Sequence, residues 1–233
     1  MRDSADRSAP IGSGPADGSR PGRPASGDPA LIRPASPGEV PALAGVVARA
    51  FAADPMITWP FGAVDDLPAR IRAMFEIVDS PYAAEGWIHV AAGGLGVMSL
   101  LPPGSAGRER EIGEATTPAV GALTADGGAR YERMWSWIDD VMGRQQPHWL
   151  LDQLAVDPAA QGRGIGGAML RFAIGRAESD GLPLVLETAV AGNVALYERF
   201  GFRVFLAANA PDGGPRLWFM GRDPGGKVDR GLG

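Results

Sequence analysis

Gln161-Gly162-Arg163-Gly164-Ile165-Gly166 stands between an apolar stretch, residues 149–156, that reads as a strand and residues 165–177, which read as a helix. In a glycine-rich turn from strand to helix, several backbone N–H groups converge on one vacant point at the helix N-terminus, where partial positive charge already gathers. So many glycines weaken the start of a helix unless something must approach the main chain closely. A phosphate or pyrophosphate is the group such a turn seats. A turn that binds nothing is the plain alternative.

A second reading uses the same residues. Gly162, Gly164 and Gly167 spell G-x-G-x-x-G, and Glu187 lies twenty residues beyond Gly167 at the end of another apolar strand, as in a dinucleotide-binding fingerprint. In that fold the glycines follow the strand almost at once, whereas Asp157-Pro158-Ala159-Ala160-Gln161 lengthens the turn here. Only forty-six residues follow Glu187, too few for the parallel strands that complete such a domain.

The six residues also fit [Gln/Arg]-x-x-Gly-x-[Gly/Ala], the pattern by which GCN5-related N-acetyltransferases (GNAT) hold the pyrophosphate of acetyl-CoA. Residues 148–205 resemble the coenzyme half of that superfamily in order: strand, turn, helix, strand, then an Asn193-x-x-x-Tyr197 helix ending in Gly201-Phe202. The likeness is greatest to puromycin N-acetyltransferase-like members, through Trp149-Leu150-Leu151, Leu186-Glu187-Thr188, Tyr197-Glu198-Arg199-Phe200-Gly201-Phe202 and, more weakly, Ala50-Phe51-Ala52-Ala53-Asp54-Pro55. It implies an α/β fold over residues 31–222, with a mixed, mostly antiparallel sheet splayed at the coenzyme site and helices on both faces. It also implies acetyl-CoA as co-substrate, with no metal, and a primary amine of a small molecule as acceptor.

Composition agrees with one catalytic domain. Residues 1–30 hold five each of Pro, Gly, Ser and Ala, which cannot build a core, and are expected to be a disordered tail; residues 223–233 are a second, glycine-rich tail. The first tail's four Arg and four Asp cancel, so it is no basic nucleic-acid arm. It lacks the apolar centre of a secretion signal, and no run reaches membrane-spanning length. A net charge of −5 gives no general attraction to nucleic acid or anionic membrane. With no cysteine and two histidines, His89 and His148, neither a disulfide framework nor a metal site is expected. A cytoplasmic enzyme, monomeric or homodimeric, is the default expectation.

Ser36-Pro37-Gly38-Glu39 reads as a capping box that opens a helix through Phe51. Residues 54–61 read as a loop broken by Pro55 and Pro60, and 67–78 as a second amphipathic helix with Ile71, Met74, Phe75 and Val78 inward. Residues 87–91 and 96–101 read as paired strands. A Pro- and Gly-rich segment follows, then a helix over 130–142, the coenzyme half and a last strand over 216–221.

Transfer from a thioester to an amine needs a neutral amine, stabilisation of the tetrahedral oxyanion, and a proton for the departing thiolate. An alkyl amine of pKa ~10.4 is neutral in only about one molecule in a few thousand at pH 7, so a base is expected. The resemblance places Tyr197 facing the thioester sulfur as proton donor and Asn193 on the coenzyme, and a core tyrosine is the bland alternative. It places Leu154, Ala155 and Val156 at a splay where pantetheine inserts, with Gln161, Gly162, Arg163, Gly164, Ile165 and Gly166 on the pyrophosphate. Leu196 and Phe200 form an apolar stripe beside Asn193 and Tyr197. Glu187, ending the apolar strand 183–187, is the leading base because burial raises a carboxyl pKa; it could instead pair with an arginine or cap the next helix. Asp152 and then His148 are the other candidates. The acceptor is expected against Asp54, Met56, Trp59 and Phe61, with Trp87, Trp135 and Trp137 contributing: aromatics plus one acid, suited to an apolar or aromatic amine.

Overall fold

The computed structural model describes residues 31–145 and 147–226, so the tail expected over 1–30 and most of 223–233 lie outside it. Strands β1 (Ile32–Pro34), β2 (Ile88–Ala91), β3 (Gly96–Leu101), β4 (Trp149–Val156), β5 (Leu184–Thr188), β6 (Arg203–Asn209) and β7 (Arg216–Arg222) form one sheet in the order β1-β2-β3-β4-β5-β7-β6. All neighbours run antiparallel except β4 and β5. The helices are α1 (Val40–Ala50), α2 (Pro55–Thr58), α3 (Leu67–Ala84), α4 (Ala106–Gly121), α5 (Ala129–Met142), α6 (Ile165–Asp180) and α7 (Ala191–Glu198). A doubly wound dinucleotide fold needs a mostly parallel sheet, so that reading is overturned.

The sheet is covered on both faces. On one, α1, α3 and α5 bury Val47, Ile71, Phe75 and Met134 with Phe219 of β7. On the other, α6 buries Met169, Leu170 and Ala173 on Met98, Leu100 and Leu151. Each such large side chain contributes roughly 1.5–3 kcal/mol by leaving water.

β4 serves both cores by alternation, and its register slips midway. Ser99 lies opposite Gln153 and Leu100 opposite Leu151, so Asp152 is an extra residue, a β-bulge. Ahead of it Trp149 and Leu151 face the α6 side; beyond it Ala155 faces the α1 side and Leu154 and Val156 the α6 side.

Several sequence expectations change. Residues 54–61 are helical, α2 followed by a single 3₁₀ turn at Trp59–Phe61, because Asp54 accepts from the Met56 N–H (2.8 Å) and each proline takes a first-turn position. α3 runs six residues further than expected, past Pro81, and closes where Trp87 N–H reaches the Tyr82 carbonyl (2.9 Å). α4 occupies the segment expected to be irregular. It buries only Ile112, Val120 and Gly121, too thin a stripe to read as a helical period. Leu196 is 37 % exposed, so the stripe expected with Phe200 forms instead through Val194 and Phe200.

Candidate active site

The turn after β4 is built as its composition predicts. Asp157 accepts from the Ala159 N–H (3.0 Å) and pairs with Arg49 of α1 (2.6 Å), fixing where the chain leaves the sheet. Gln161 donates from Nε2 to the Val156 carbonyl (3.2 Å), so its side chain braces the turn. Gly162 and Gly164 adopt φ +75° and +82°, and a Cβ at either would meet open space. Left-handed backbone explains the glycines, and the open space is what a pyrophosphate approaching the N–H groups of α6 requires. α6 itself sits close on β3: a Cβ at Gly96 would lie 2.7 Å from Ile165 Cγ2 and from Met169 Sδ.

β4 and β5 pair only at Trp149 with Leu184 and Leu150 with Val185. Beyond these pairs they diverge, leaving the β5-facing edge of Leu154, Ala155 and Val156 without a neighbouring strand. Tyr197 and Asn193 on α7 belong to the α6 side of the sheet, yet both line a cavity of about 780 Å³ that lies under α3, α4 and α5. The gap therefore connects the two faces. Thr188 Oγ1 accepts from the Val190 N–H (3.2 Å) and from Asn193 Nδ2 (3.3 Å), so Thr188, not Glu187, braces the entry to α7, whose N-cap Val190 offers no side-chain bond.

Glu187 and Leu154 line the same cavity. Glu187 Oε2 is buried without a hydrogen-bond partner, and no arginine pairs with it among the described residues. Burial first, then Asp152, Glu109 and Asp139, hold its pKa well above the ordinary carboxyl value. Tyr197, 8 % exposed, is pushed up by burial, Glu187 and Asp54, so its hydroxyl keeps its proton. Asp152 at the bulge is raised to about 6, by burial and by Asp139, with Ser99 opposing. His148 precedes β4 and does not line the cavity.

The acceptor side differs from expectation. Asp54, Met56 and Trp135 line the cavity; Trp59, Phe61, Trp87 and Trp137 do not. Phe61 is 1 % exposed in the core, because the 3₁₀ turn points it inward. Trp59 instead lies under the Arg130 guanidinium, 5.4 Å from its ring centre. Trp87 packs edge-on against Tyr82 and Trp137 against Phe219. In place of one acid the cavity holds several. Glu109 on α4 is raised to about 8 by burial, Asp152 and Asp139, with Arg110 opposing. Asp139 on α5 is also raised by burial. Behind the lining, Asp79 on α3, 2 % exposed beside Asp152 and Gln153, is raised to about 8 by burial and Asp152. Sequence reasoning missed all three. The one available signal was the i, i+4 row Tyr131, Trp135, Asp139, whose members all line the cavity.

Residues 122–204 match the acetyltransferase (GNAT) domain. A Corynebacterium glutamicum protein described as histone acetyltransferase HPA2 and related acetyltransferase is 26 % identical, with a TM-score of 0.63 over 86 % of this chain and 98 % of that one. Drosophila melanogaster polyamine N-acetyltransferase (15 % identical, TM-score 0.56, 83 % and 98 % covered) and mosquito arylalkylamine N-acetyltransferase like 5b (15 %, 0.55, 83 % and 99 %) share the fold. Residues 122–204 are thus similar to the acetyltransferase (GNAT) domain, and the chain shares its fold with these structures.

Proposed function

We propose that the protein transfers the acetyl group of acetyl-CoA to a primary amine of a small molecule. The observation that carries this reading is the gap between β4 and β5. It joins the open glycine turn on one face to the acid-lined cavity on the other, with Tyr197 and Glu187 at the junction. The amine loses a proton to Glu187, directly or through water, with Asp152 as the alternative acceptor. Its nitrogen then attacks the thioester carbonyl, whose oxygen takes up charge beside the free backbone edge of β4. As the C–S bond breaks, the Tyr197 hydroxyl gives its proton to the sulfur, whose pKa of ~8.5 resembles that of a cysteine.

Gln161 to Gly166 would seat the pyrophosphate, with Asn193 on the coenzyme and Leu154, Ala155 and Val156 along pantetheine. Asp54 would attract the acceptor's ammonium. Domain limits of 31–222, and the narrower kinship with puromycin N-acetyltransferase-like members, rest on sequence motifs. That kinship does not carry over an acceptor, because the acceptor side is built from other elements. Acetyl-CoA with an amine panel should release thiol; a protein that acetyl-CoA stabilises but that releases thiol with no amine is an acyl-CoA-binding module instead.

A further inference from the structure

The transfer reaction uses one amine, one base and one proton donor, and leaves most of the cavity's acids without a task. Eight of its lining residues are Asp or Glu, and Arg110 is the one cationic residue of the lining. None of Asp54, Glu109, Asp139, Asp152 and Glu187 forms an ion pair among the described residues. Burying carboxylates without counter-charge is costly, and such groups are retained where a ligand supplies the charge.

A second observation points to a polar ligand. Gln153, 6 % exposed and part of the lining, has its Nε2 unpartnered, as is Glu187 Oε2. A metal does not fit, since no His, Asp or Glu group among the described residues is arranged to hold one. The acids reach the cavity from two layers. Glu187 comes from β5 and shares the lining with Tyr197 of α7, at the transfer end, whereas Glu109 and Asp139 come from α4 and α5; Asp152, Glu109 and Asp139 all raise Glu187, so the two layers act on one another. Apolar walls from Phe75, Val78, Ile112 and Trp135 accompany them.

We propose that the acceptor carries a second cationic centre, in chemical class an alkane diamine or polyamine. Its reacting end lies against Glu187 and Tyr197, its methylenes against the apolar walls, and its far ammonium is held by Glu109 and Asp139. The proposal rests on the acetyltransferase reading and narrows its substrate.

At constant ionic strength, kcat/KM for acetyl-CoA-dependent thiol release is compared for 1,4-diaminobutane and spermidine against 1-aminobutane. Melting temperature is measured with each amine and with acetyl-CoA. A dication should exceed the monoamine at least about tenfold, mainly through KM, and should raise the melting temperature more. Glu109→Gln and Asp139→Asn, which keep side-chain shape, should bring that ratio toward one while acetyl-CoA still stabilises the protein. A monoamine that matches both dications in turnover and in melting shift overturns the proposal, as does a ratio unchanged in both variants. If acetyl-CoA gives no melting shift and no amine releases thiol, the acetyltransferase reading fails, and the melting shifts with dications still decide the charge preference separately.

Discussion

On the donor side, the binding turn is six consecutive residues between β4 and α6. On the acceptor side, the carboxyls come from five separate places: Asp54 ahead of α2, Glu109 on α4, Asp139 on α5, Asp152 on β4 and Glu187 on β5. The first is set by backbone angles that glycine alone takes easily, and it survives wherever strand and helix keep their places. The second exists only when four helices pack in one arrangement over the sheet. A donor site made of main chain can stay constant while an acceptor site made of converging side chains is rebuilt, helix by helix.

The sharpest test of the junction between the two sides is Tyr197→Phe. It keeps the ring on Phe202 and removes the hydroxyl, so kcat should fall roughly 10²- to 10⁴-fold with acetyl-CoA affinity nearly unchanged. No rise of pH should rescue it, since higher pH supplies no proton to sulfur; a loss confined to KM would assign Tyr197 to binding.

Gly164→Val addresses the main-chain side alone. A β-branched residue at φ +82° is strained and fills the approach to the turn. At acetyl-CoA a hundredfold above the wild-type Kd, the wild type gains about 2.7 kcal/mol of stability. The variant should gain almost none, and a full response in the variant would remove the turn from the site.

Glu187→Gln should cost roughly ten- to a hundredfold in kcat/KM near pH 7 if Glu187 is the base, within the usual reach of general catalysis. The deficit should shrink toward pH 10, where neutral amine is abundant. A profile parallel to wild type would transfer the role to Asp152 or water.

Asp79→Asn tests the side-chain side through stability. Because folding raises this carboxyl to about 8, its favourable contribution is complete below the unfolded pKa of ~3.9 and is lost as pH climbs to about 8. The variant should therefore melt close to wild type at pH 4 and several degrees above it at pH 8–9, by thermal denaturation. Equal melting curves at both ends would mean that Asp79 is solvated. The smallest effect is expected from deleting residues 1–28, which should leave both melting temperature and acetyl-CoA response nearly unchanged, their composition offering little apolar contact.

Sequence made the donor side legible because its signals are local: an apolar strand, a glycine cluster, then Asn193 and Tyr197 four residues apart on one helical face. The sheet and its splay followed from the resemblance those motifs carry. α4 stayed hidden because Ile112 and Val120 are nearly alone on its buried face, and Gly107, Gly113 and Pro118 look like loop residues. The aromatics of 54–61 misled for a related reason. Hydrophobicity says that Phe61 and Trp59 seek cover, but not whether the cover is core, a guanidinium or a substrate. Glu109 and Asp139 are thirty residues apart in sequence, and only the meeting of α4 and α5 brings them to one cavity.

The extra residue at Asp152 gives β4 the behaviour of a spliced cable. On both sides of the splice the strand serves both cores: Leu150 and Ala155 pack on the α1 side, Trp149, Leu151, Leu154 and Val156 on the α6 side, so the bulge absorbs one residue without exchanging the faces. A chimera that borrows a foreign acceptor half must keep this phase: dropping a residue other than Asp152 would turn the side chains on one side of the cut onto the opposite face, whereas dropping Asp152 would leave Leu150, Leu151, Leu154 and Ala155 alternating as they do. Deletion of Asp152 should therefore disturb folding less than any other single-residue deletion across 149–156, which makes a deletion scan of this strand a direct way to map how the two layers are joined.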